Sequence, residues 1–332
     1  MLNDFLYKSL VQFHSNSTIY PHGYLQPLVE AARSHCYVEN VGNRADSLHR
    51  RIEQTYEEQI ADAYFKALSP AVKRMHLGSV MLACDFTEED FYGYTSDLWL
   101  HGWTGEQGVQ AHYKFAVLSL VGKQKIPLMA VPAHVGMSKE EIFSFFLAIA
   151  KKLQLHVRCI LLDAGFYSGE VIESLKGYKY IIRAPQNEVV QRFIAATEDW
   201  SSYRHEIEWN GYKTIRRTKT TIVIVKRVRF KNTFVDCSYA TNMRLSDGMS
   251  YVHLYCRRWQ IETNFRMEDQ VKIKSKSRHI LVRYFYFMIS LLLHAVWLMT
   301  WSHKMAFDTF KVHLANQLLF AVEGLAYVHP VF

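Results

Sequence analysis

Two apolar runs that each close on an aspartate decide the fold of this chain: Ser79-Val-Met-Leu-Ala-Cys-Asp85 and Val157-Arg-Cys-Ile-Leu-Leu-Asp163. Short aliphatic runs of this kind are typical of buried strands. In a layered α/β sheet, groups at strand ends face a common edge, where sites tend to form. Asp85 and Asp163 therefore meet if the two strands are neighbours. Each acid could also simply cap the turn or helix that follows its strand.

The elements around these runs follow a consistent order. Strands are predicted over 113–121 and 126–131, and the linker 122–125 is short enough for a hairpin. Ser138-Lys-Glu-Glu141 matches a capping box and predicts a helix to about Leu153. A short helix near 169–175 and a strand over 178–183 follow. Three strands, then helix, strand, helix and strand, is the element order of an RNase-H-like α/β core, which is the predicted fold class.

A β-rich insertion is predicted at about 190–240. Tyr203 to Trp209, then Asn210-Gly211, then Tyr212 to Ile215 is a hairpin signal, because Asn-Gly tolerates the positive φ angles of a type I′ turn. A separate strand is predicted over Thr220 to Val225, and the chain returns through 233–240 to a helical stretch that starts near Ser250.

The division of the chain follows from these elements. Residues 1–78 carry helical patterns without strong β-runs and form a helical N-terminal unit, a candidate for DNA binding. Its clearest helix spans Asp46 to Leu68, with Asp46 as the expected cap. The catalytic core is predicted over 79–305, and 306–332 is predicted to be a C-terminal helical tail.

A third acid lies on a predicted helix, Tyr255-Cys-Arg-Arg258-Trp-Gln-Ile-Glu262. Tyr255, Arg258 and Glu262 fall at i, i+3 and i+7, which places them on one helix face. Such a face suits a scissile phosphate, with Glu262 on a metal ion and Arg258 on a phosphate oxygen. A surface Arg–Glu pair beside a partly buried tyrosine is the alternative.

These acids are the candidate metal ligands. Cleavage of a phosphodiester without a covalent enzyme intermediate can use two divalent ions that clamp the attacking and leaving oxygens. Mg²⁺ prefers oxygen ligands and keeps several waters, so a few carboxylates suffice. The sequence therefore predicts a site for Mg²⁺ or Mn²⁺, with two ions, at Asp85, Asp163 and Glu262.

The chain also resembles a family. Tyr-x-x-Arg-x-x-x-Glu is the signature helix of the DDE transposases of prokaryotic insertion sequences, in their IS-four-like branch. The resemblance spans roughly 80–300, with anchors in order at 84–87, 162–167, 180–183, 239–242 and 255–265. Members also carry a β-rich insertion between the second Asp and the Glu.

The resemblance implies an activity and a set of roles. It implies metal-dependent DNA cleavage and strand transfer, with Asp85, Asp163 and Glu262 as the metal-binding triad. Tyr255 and Arg258 match the residues that contact the DNA backbone near the cut. Arg183 looks like the family arginine that helps to hold DNA. The partners implied are double-stranded DNA, both element ends and target, and a second copy of the chain in the DNA complex.

One feature departs from the family. Its signature helix usually carries a lysine six or seven residues after the glutamate, whereas this chain has Glu268 and Asp269 there. A transposase relative that binds DNA without cutting it is therefore one alternative. A nuclease with the same core, which cuts but never joins, is another.

Basic residues are concentrated in two places. Between Tyr212 and Lys231 there are eight Lys or Arg residues and no acid, which equals the net charge of +8. A second group follows the Glu262 helix. Contacts to phosphates dominate affinity for DNA, so both groups are candidate DNA contacts, although a solvated basic surface is the alternative. The candidates are Arg216, Arg217, Lys219, Lys226, Arg227, Arg229, Lys272, Lys274 and Lys276.

Composition narrows the class of protein. Lys and Arg exceed Asp and Glu by 39 to 31, which favours a polyanionic partner or an anionic membrane. Five scattered cysteines without a CxxC pair argue against a disulfide framework and a thiolate zinc site, and fit a reducing cytoplasm. The expected location is cytoplasmic, at the nucleoid, and the start of the sequence lacks the pattern of a signal peptide.

One apolar segment allows a different interpretation. Tyr284 to Trp301 is 18 mostly apolar residues, the minimum length for a membrane span. A protein anchored in a membrane by 284–301 is therefore an alternative. A helix buried in a large core is the favoured interpretation, and no membrane partner is expected.

Overall fold

The N-terminal region is helical. The computed structural model describes residues 22–41, 45–93, 97–102, 108–211, 214–261, 272–300, 302 and 304–328. Helices α1 (His22–Ser34), α2 (Ala45–Ile52) and α3 (Glu57–Arg74) precede the sheet. The single helix predicted from Asp46 is wrong, because the Thr55 hydroxyl donates to the Ile52 carbonyl at 2.6 Å and closes α2. Asp46 lies in the first turn of α2, not before it.

The first strand is longer than predicted. Strand β1 spans Ser79–Phe91, so Asp85 lies within it and does not end it. The reason is its antiparallel partner β3 (Ala111–Val121), which pairs with β1 from Met81 opposite Val121 to Phe91 opposite Ala111. The backbone of the polar residues after Asp85 is therefore hydrogen-bonded in the sheet.

The other core elements follow the predicted order. Short strand β2 (Leu100–His101) and strand β4 (Pro127–Ala133) both pair with β3. Helix α4 (Lys139–Lys152) opens with the predicted capping box, in which Glu141 and Ser138 exchange hydrogen bonds of 3.0 Å. The later elements are β5 (His156–Leu162), α5 (Gly169–Ser174), β6 (Tyr180–Arg183) and α6 (Glu188–Ala195).

The predicted insertion continues the same sheet. Strands β7 (Trp200–Asn210), β8 (Ile215–Phe230) and β9 (Thr233–Thr241) follow one another, and β9 pairs antiparallel with β6. Among the described residues, nine strands form one sheet in the order β2-β3-β1-β5-β6-β9-β8-β7, with β4 also on β3. The expected strand Thr220 to Val225 is thus the middle of β8.

The β7–β8 hairpin is present, but its turn differs from the prediction. Asn210 pairs with Ile215, so Asn210 is the last residue of β7 and does not lie in the turn. The two-residue turn centred on Asn210-Gly211 is therefore wrong. The hairpin is held by α5, because Trp209 packs against Gly169 so closely that any side chain there would overlap its indole ring.

Three helices complete the fold. Helix α7 (Gly248–Cys256) follows β9, and α8 (Ile280–Thr300) and α9 (Phe307–Val328) close the chain. Helix α8 is long and apolar enough to cross a membrane, with a mean hydropathy of 1.7, yet 78% of its most apolar window is buried in the fold. Its Phe287 ring stacks on Phe115 of β3 at 4.3 Å, which favours the core-helix interpretation.

The predicted unit boundaries remain predictions. The boundary at 78 falls in the loop before β1, and the boundary at 305 falls between α8 and α9. Helix α9, predicted to be a tail, packs against α1, where the Lys311 ammonium donates to the Ala32 carbonyl at 3.4 Å.

Candidate active site at the sheet edge

The two aspartates meet at one edge of the sheet. Strands β1 and β5 are parallel neighbours, and their pairing ends with Cys84 opposite Leu162. Asp85 is the next residue of β1 and Asp163 is the first residue after β5, so their backbones lie side by side. The Asp85 side chain is 14% exposed and the Asp163 side chain is 43% exposed. The predicted meeting of these acids is therefore observed in the structure.

Arg258 lies between the two carboxylates. Its Nη1 donates to Asp85 Oδ2, and its Nη2 is 3.7 Å from Asp163 Oδ1. The arginine side chain is only 7% exposed. The guanidinium thus points inward and neutralises the acid pair, and the contact of Arg258 with a DNA phosphate remains a prediction.

The surroundings of the Asp85 carboxyl disfavour its charged form. Burial raises its pKa above the ordinary value, and the neighbouring Asp163 raises that pKa further. Arg258 and the Phe86 amide, which donates to Asp85 Oδ1 at 2.9 Å, act in the opposite direction. One guanidinium thus offsets only part of the cost of placing two carboxylates together. The Asp85–Asp163 pair, which Arg258 neutralises only in part, therefore favours the binding of a further cation.

Two buried tyrosine rings, Tyr255 and Tyr239, pack in sequence beside Arg258. Its guanidinium lies 5.7 Å from the ring centre of Tyr255, and the Tyr255 ring lies 4.9 Å from that of Tyr239. Tyr255 is buried, and burial raises the pKa of its hydroxyl. Tyr255 was predicted to contact the DNA backbone, but here it positions Arg258 from within the core.

Arg183 occupies the predicted place at the end of β6. This strand is parallel to β5, so Arg183 lies at the same sheet edge as Asp163. Its guanidinium sits 5.8 Å from the Tyr239 ring centre and donates to Cys237 Sγ at 3.6 Å. The side chain is half-buried, and its role in holding DNA remains a prediction.

The helix predicted over 255–262 is interrupted. Helix α7 ends at Cys256, and the amide of Arg258 then donates to the Tyr255 carbonyl at 2.8 Å, an i to i−3 bond that tightens the chain. Ile261 is buried, and Glu262, Glu268 and Asp269 lie outside the described residues. Within the described ranges, no three His, Cys, Asp or Glu side chains gather as a metal site.

The basic group on β8 is split between opposite edges. Val223 lies opposite Tyr239, which pairs with Arg183, so this level of β8 matches the active-site edge. Three residues that follow, Lys226, Arg227 and Arg229, extend beyond that edge. Three that precede, Arg216, Arg217 and Lys219, extend the other way along β8. The residues of this basic group therefore do not lie together, and their contact with DNA remains a prediction.

Several of these cations are already paired. The Lys226 ammonium lies 2.8 Å from Asp236 Oδ2, and Arg217 Nη2 lies 2.6 Å from Glu208 Oε1. The Arg216 guanidinium stacks on Trp209 at 5.3 Å. Arg227, Arg229 and Lys219 are exposed. Of the predicted DNA contacts on β8, Arg227 and Arg229 are therefore the best placed to reach DNA bound at Asp85 and Asp163.

The second predicted basic group, which contains Lys274 and Lys276, lies against the segment between α1 and α2. Lys274 forms a parallel β-bridge with Tyr37, and the Lys276 ammonium donates to Asn40 Oδ1 at 3.2 Å. Lys272 is half-buried, whereas Lys274 and Lys276 are exposed. Their contact with DNA remains a prediction.

Comparisons with known proteins agree with this arrangement. Residues 138–298, just under half of the chain, match the sequence profile of the transposase DDE domain. This range contains Asp163, Arg258 and Glu262, and it begins after Asp85. No curated protein sequence matches the chain.

The fold is similar to that of one solved transposase structure, and a second aligns only weakly. A cryo-EM structure of a piggyBac transposase synaptic complex with hairpin DNA aligns with a TM-score of 0.59 at 11% identity, covering 100% of this chain and 79% of its own. A Drosophila P element transposase strand transfer complex covers 53% of this chain and 40% of its own at 10% identity, and its TM-score of 0.22 is too low to indicate a shared fold. Residues 138–298 thus match a transposase DDE domain, and the mixed α/β fold around them is similar to that of the piggyBac transposase.

Proposed function

We propose that the chain is a DDE transposase that cuts and joins DNA strands, with Asp85, Asp163 and Glu262 holding Mg²⁺ or Mn²⁺. The observation that carries the proposal is the pair of aspartates that directly follow the last paired residues of β1 and β5, with Arg258 between them. The chain order β1, β3, β4, α4, β5, α5, β6 supports an RNase-H-like core. Membership of the IS-four-like branch belongs to the same proposal and rests on the Tyr255 to Glu262 motif.

The donor set suits divalent ions. Carboxylate oxygens are the ligands that Mg²⁺ prefers, and burial together with the neighbouring Asp163 raises the pKa of Asp85, so that a bound cation would stabilise its charged form. When bound, two such ions polarise the phosphodiester and activate the attacking water or 3′-hydroxyl. Glu262 follows buried Ile261, close in sequence to Arg258, which supports its place as the third ligand.

The chain's own residues prepare this site in two ways. Asp85 is fixed by the Phe86 amide and by Arg258, so its carboxylate is oriented before any ligand arrives. Once other cations neutralise the aspartates, the Arg258 guanidinium becomes free to turn toward a phosphate oxygen, which suits its bidentate geometry. Arg183, Arg227 and Arg229 are proposed to hold DNA on this edge. Action at the nucleoid, in a homodimer that holds two DNA ends, completes the proposal.

Joining separates a transposase from a nuclease. We expect a labelled duplex with a pre-cut 3′-hydroxyl end to be joined to plasmid DNA when Mg²⁺ or Mn²⁺ is present. Gel analysis of the label in the plasmid band measures this product. Cleavage of intact end DNA without any joined product would identify a plain nuclease and contradict the transposase proposal.

A further inference from the structure

The edge of the sheet opposite the acids is strongly basic. Three connections lie there: the one from α3 to β1, the turn from β3 to β4, and the one from α4 to β5. None of the segments 71–80, 121–131 and 150–158 contains an Asp or Glu. Together they carry seven Lys or Arg residues: Lys73, Arg74, Lys123, Lys125, Lys151, Lys152 and Arg158. We call this surface the far basic edge.

A cavity opens in the far basic edge. Its volume is about 340 Å³, within the range of roughly 300–1,000 Å³ that is usual for small-ligand sites. Lys123, Arg158 and Arg257 line it with His76, and no carboxylate is among its lining residues. Four groups that are positive or can become positive therefore converge on one space.

The cations at this cavity have no partners of opposite charge among the residues that the structure describes. Within the described ranges, none of Lys123, Arg158 and Arg257 makes an ion pair, and Arg257 has only a weak contact of 3.9 Å to the Met81 sulfur. Lys226 and Arg217 on β8, in contrast, are paired with carboxylates. Unpaired cations around a shared cavity repel one another and favour an anion between them.

We propose that the far basic edge binds backbone phosphates of duplex DNA, in a stretch other than the one being cut. This inference rests on the proposed function. Ser79 to Met81 line the cavity and lie six to four residues before Asp85 on the same strand, so the two sites are roughly 13–20 Å apart at about 3.3 Å per residue. A straight duplex at the acids does not reach the opposite edge, and bending a short duplex around the sheet costs elastic energy. A second stretch of duplex avoids that cost.

The test compares the salt dependence of DNA binding. Each phosphate contact contributes about 0.9 to the slope of log K against log salt concentration. Changing Lys123→Gln with Arg158→Gln removes two exposed cations and should reduce that slope by roughly two. The control is Lys176→Gln with Lys304→Gln, which removes the same charge from two other exposed lysines, the first of them paired with Glu173. The control should keep the wild-type slope.

Each outcome has a defined meaning. Binding is measured by fluorescence anisotropy of a labelled duplex with the full chain and without divalent ions, so no cutting is required. An unchanged slope in the Lys123 and Arg158 variant, or an equal change in the control, would overturn the inference while leaving the transposase proposal intact. A wild-type chain that binds no duplex at all would contradict both.

Free phosphate is the other source of the same chemistry. Inorganic phosphate, titrated at constant ionic strength, should displace the duplex only weakly, since a backbone provides several phosphates at once. Saturable binding of inorganic phosphate that Arg158→Gln abolishes, together with an unchanged DNA salt slope, would show a site for small anions and overturn the assignment to DNA.

Discussion

Replacing Arg258 by methionine is expected to lower the free energy of unfolding of the metal-free chain by about 3–5 kcal/mol, the usual effect of removing one partner of a buried ion pair. Methionine keeps much of the side-chain volume over Tyr255 but leaves the Asp85 and Asp163 carboxylates without their nearest cation. Urea unfolding followed by circular dichroism measures the change. Mn²⁺ should then stabilise the variant more than the wild type, since the ion meets no competing guanidinium.

The neighbouring arginine provides a matched control. Arg257 is exposed and its nearest recorded contact is the Met81 sulfur, so Arg257→Met removes the same charge without opening the acid pair. We expect that variant to unfold close to the wild type. Equal urea midpoints for the Arg258 variant and the wild type, or equal stabilisation of both by Mn²⁺, would show that Arg258 does not compensate the two aspartates.

Asp85→Asn and Asp163→Asn are each expected to reduce metal-dependent cleavage about a thousandfold. A lost metal ligand removes several kcal/mol of transition-state stabilisation, and each 1.36 kcal/mol corresponds to a factor of ten in rate. The measurement is single-turnover cleavage of labelled element-end duplex in Mg²⁺. Duplex binding should persist in both variants, because DNA affinity comes mainly from cations.

Asp90 is the control for that experiment. It lies on the same strand, β1, but it is exposed, and its recorded side-chain contact is the Tyr92 hydroxyl at 3.3 Å. Asp90→Asn should cut at the wild-type rate. A comparable loss in Asp90→Asn would mean that the effect reflects the strand and not the metal ligands. Full activity in Asp85→Asn would remove Asp85 from the proposed site.

The sequence predicted the core well because its signals are local. The runs before Asp85 and Asp163 are aliphatic enough to specify strands by themselves, and the Ser138 capping box specified the start of α4. The extension of β1 past Asp85 has no such signal. Four of its six residues, Thr87 to Asp90, are polar, and they are in a strand because β3 pairs with them.

The details of the site depended on long-range contacts. Asp85 and Arg258 are 173 residues apart, and no local pattern reports their hydrogen bond. The i, i+3, i+7 spacing assumed an unbroken helix from Tyr255 to Glu262, whereas α7 ends at Cys256. The split of the β8 cations likewise follows from register, since the 16-residue strand crosses the level of the acids near Val223.

The far basic edge likewise has no signal in any one stretch of the sequence. Its cations are spread over segments 71–80, 121–131 and 150–158, and no one segment is as dense in charge as the β8 stretch. They converge only because the first strand pairs with β3 on one side and β5 on the other. The local feature that the three segments share is that none of them contains an Asp or Glu.

Cleavage by a Glu262→Gln chain tests the central claim most directly, because Glu262 is the one proposed ligand whose position rests on the motif alone. Labelled element-end duplex is incubated with the wild type or the variant in Mg²⁺ and in Mn²⁺, and the cut strand is quantified. We expect the wild type to cut in a metal-dependent manner and the variant to bind the duplex without cutting it. Equal cutting by the two chains would contradict the proposed triad, and tight binding without cutting by either would identify a transposase relative that has lost catalysis.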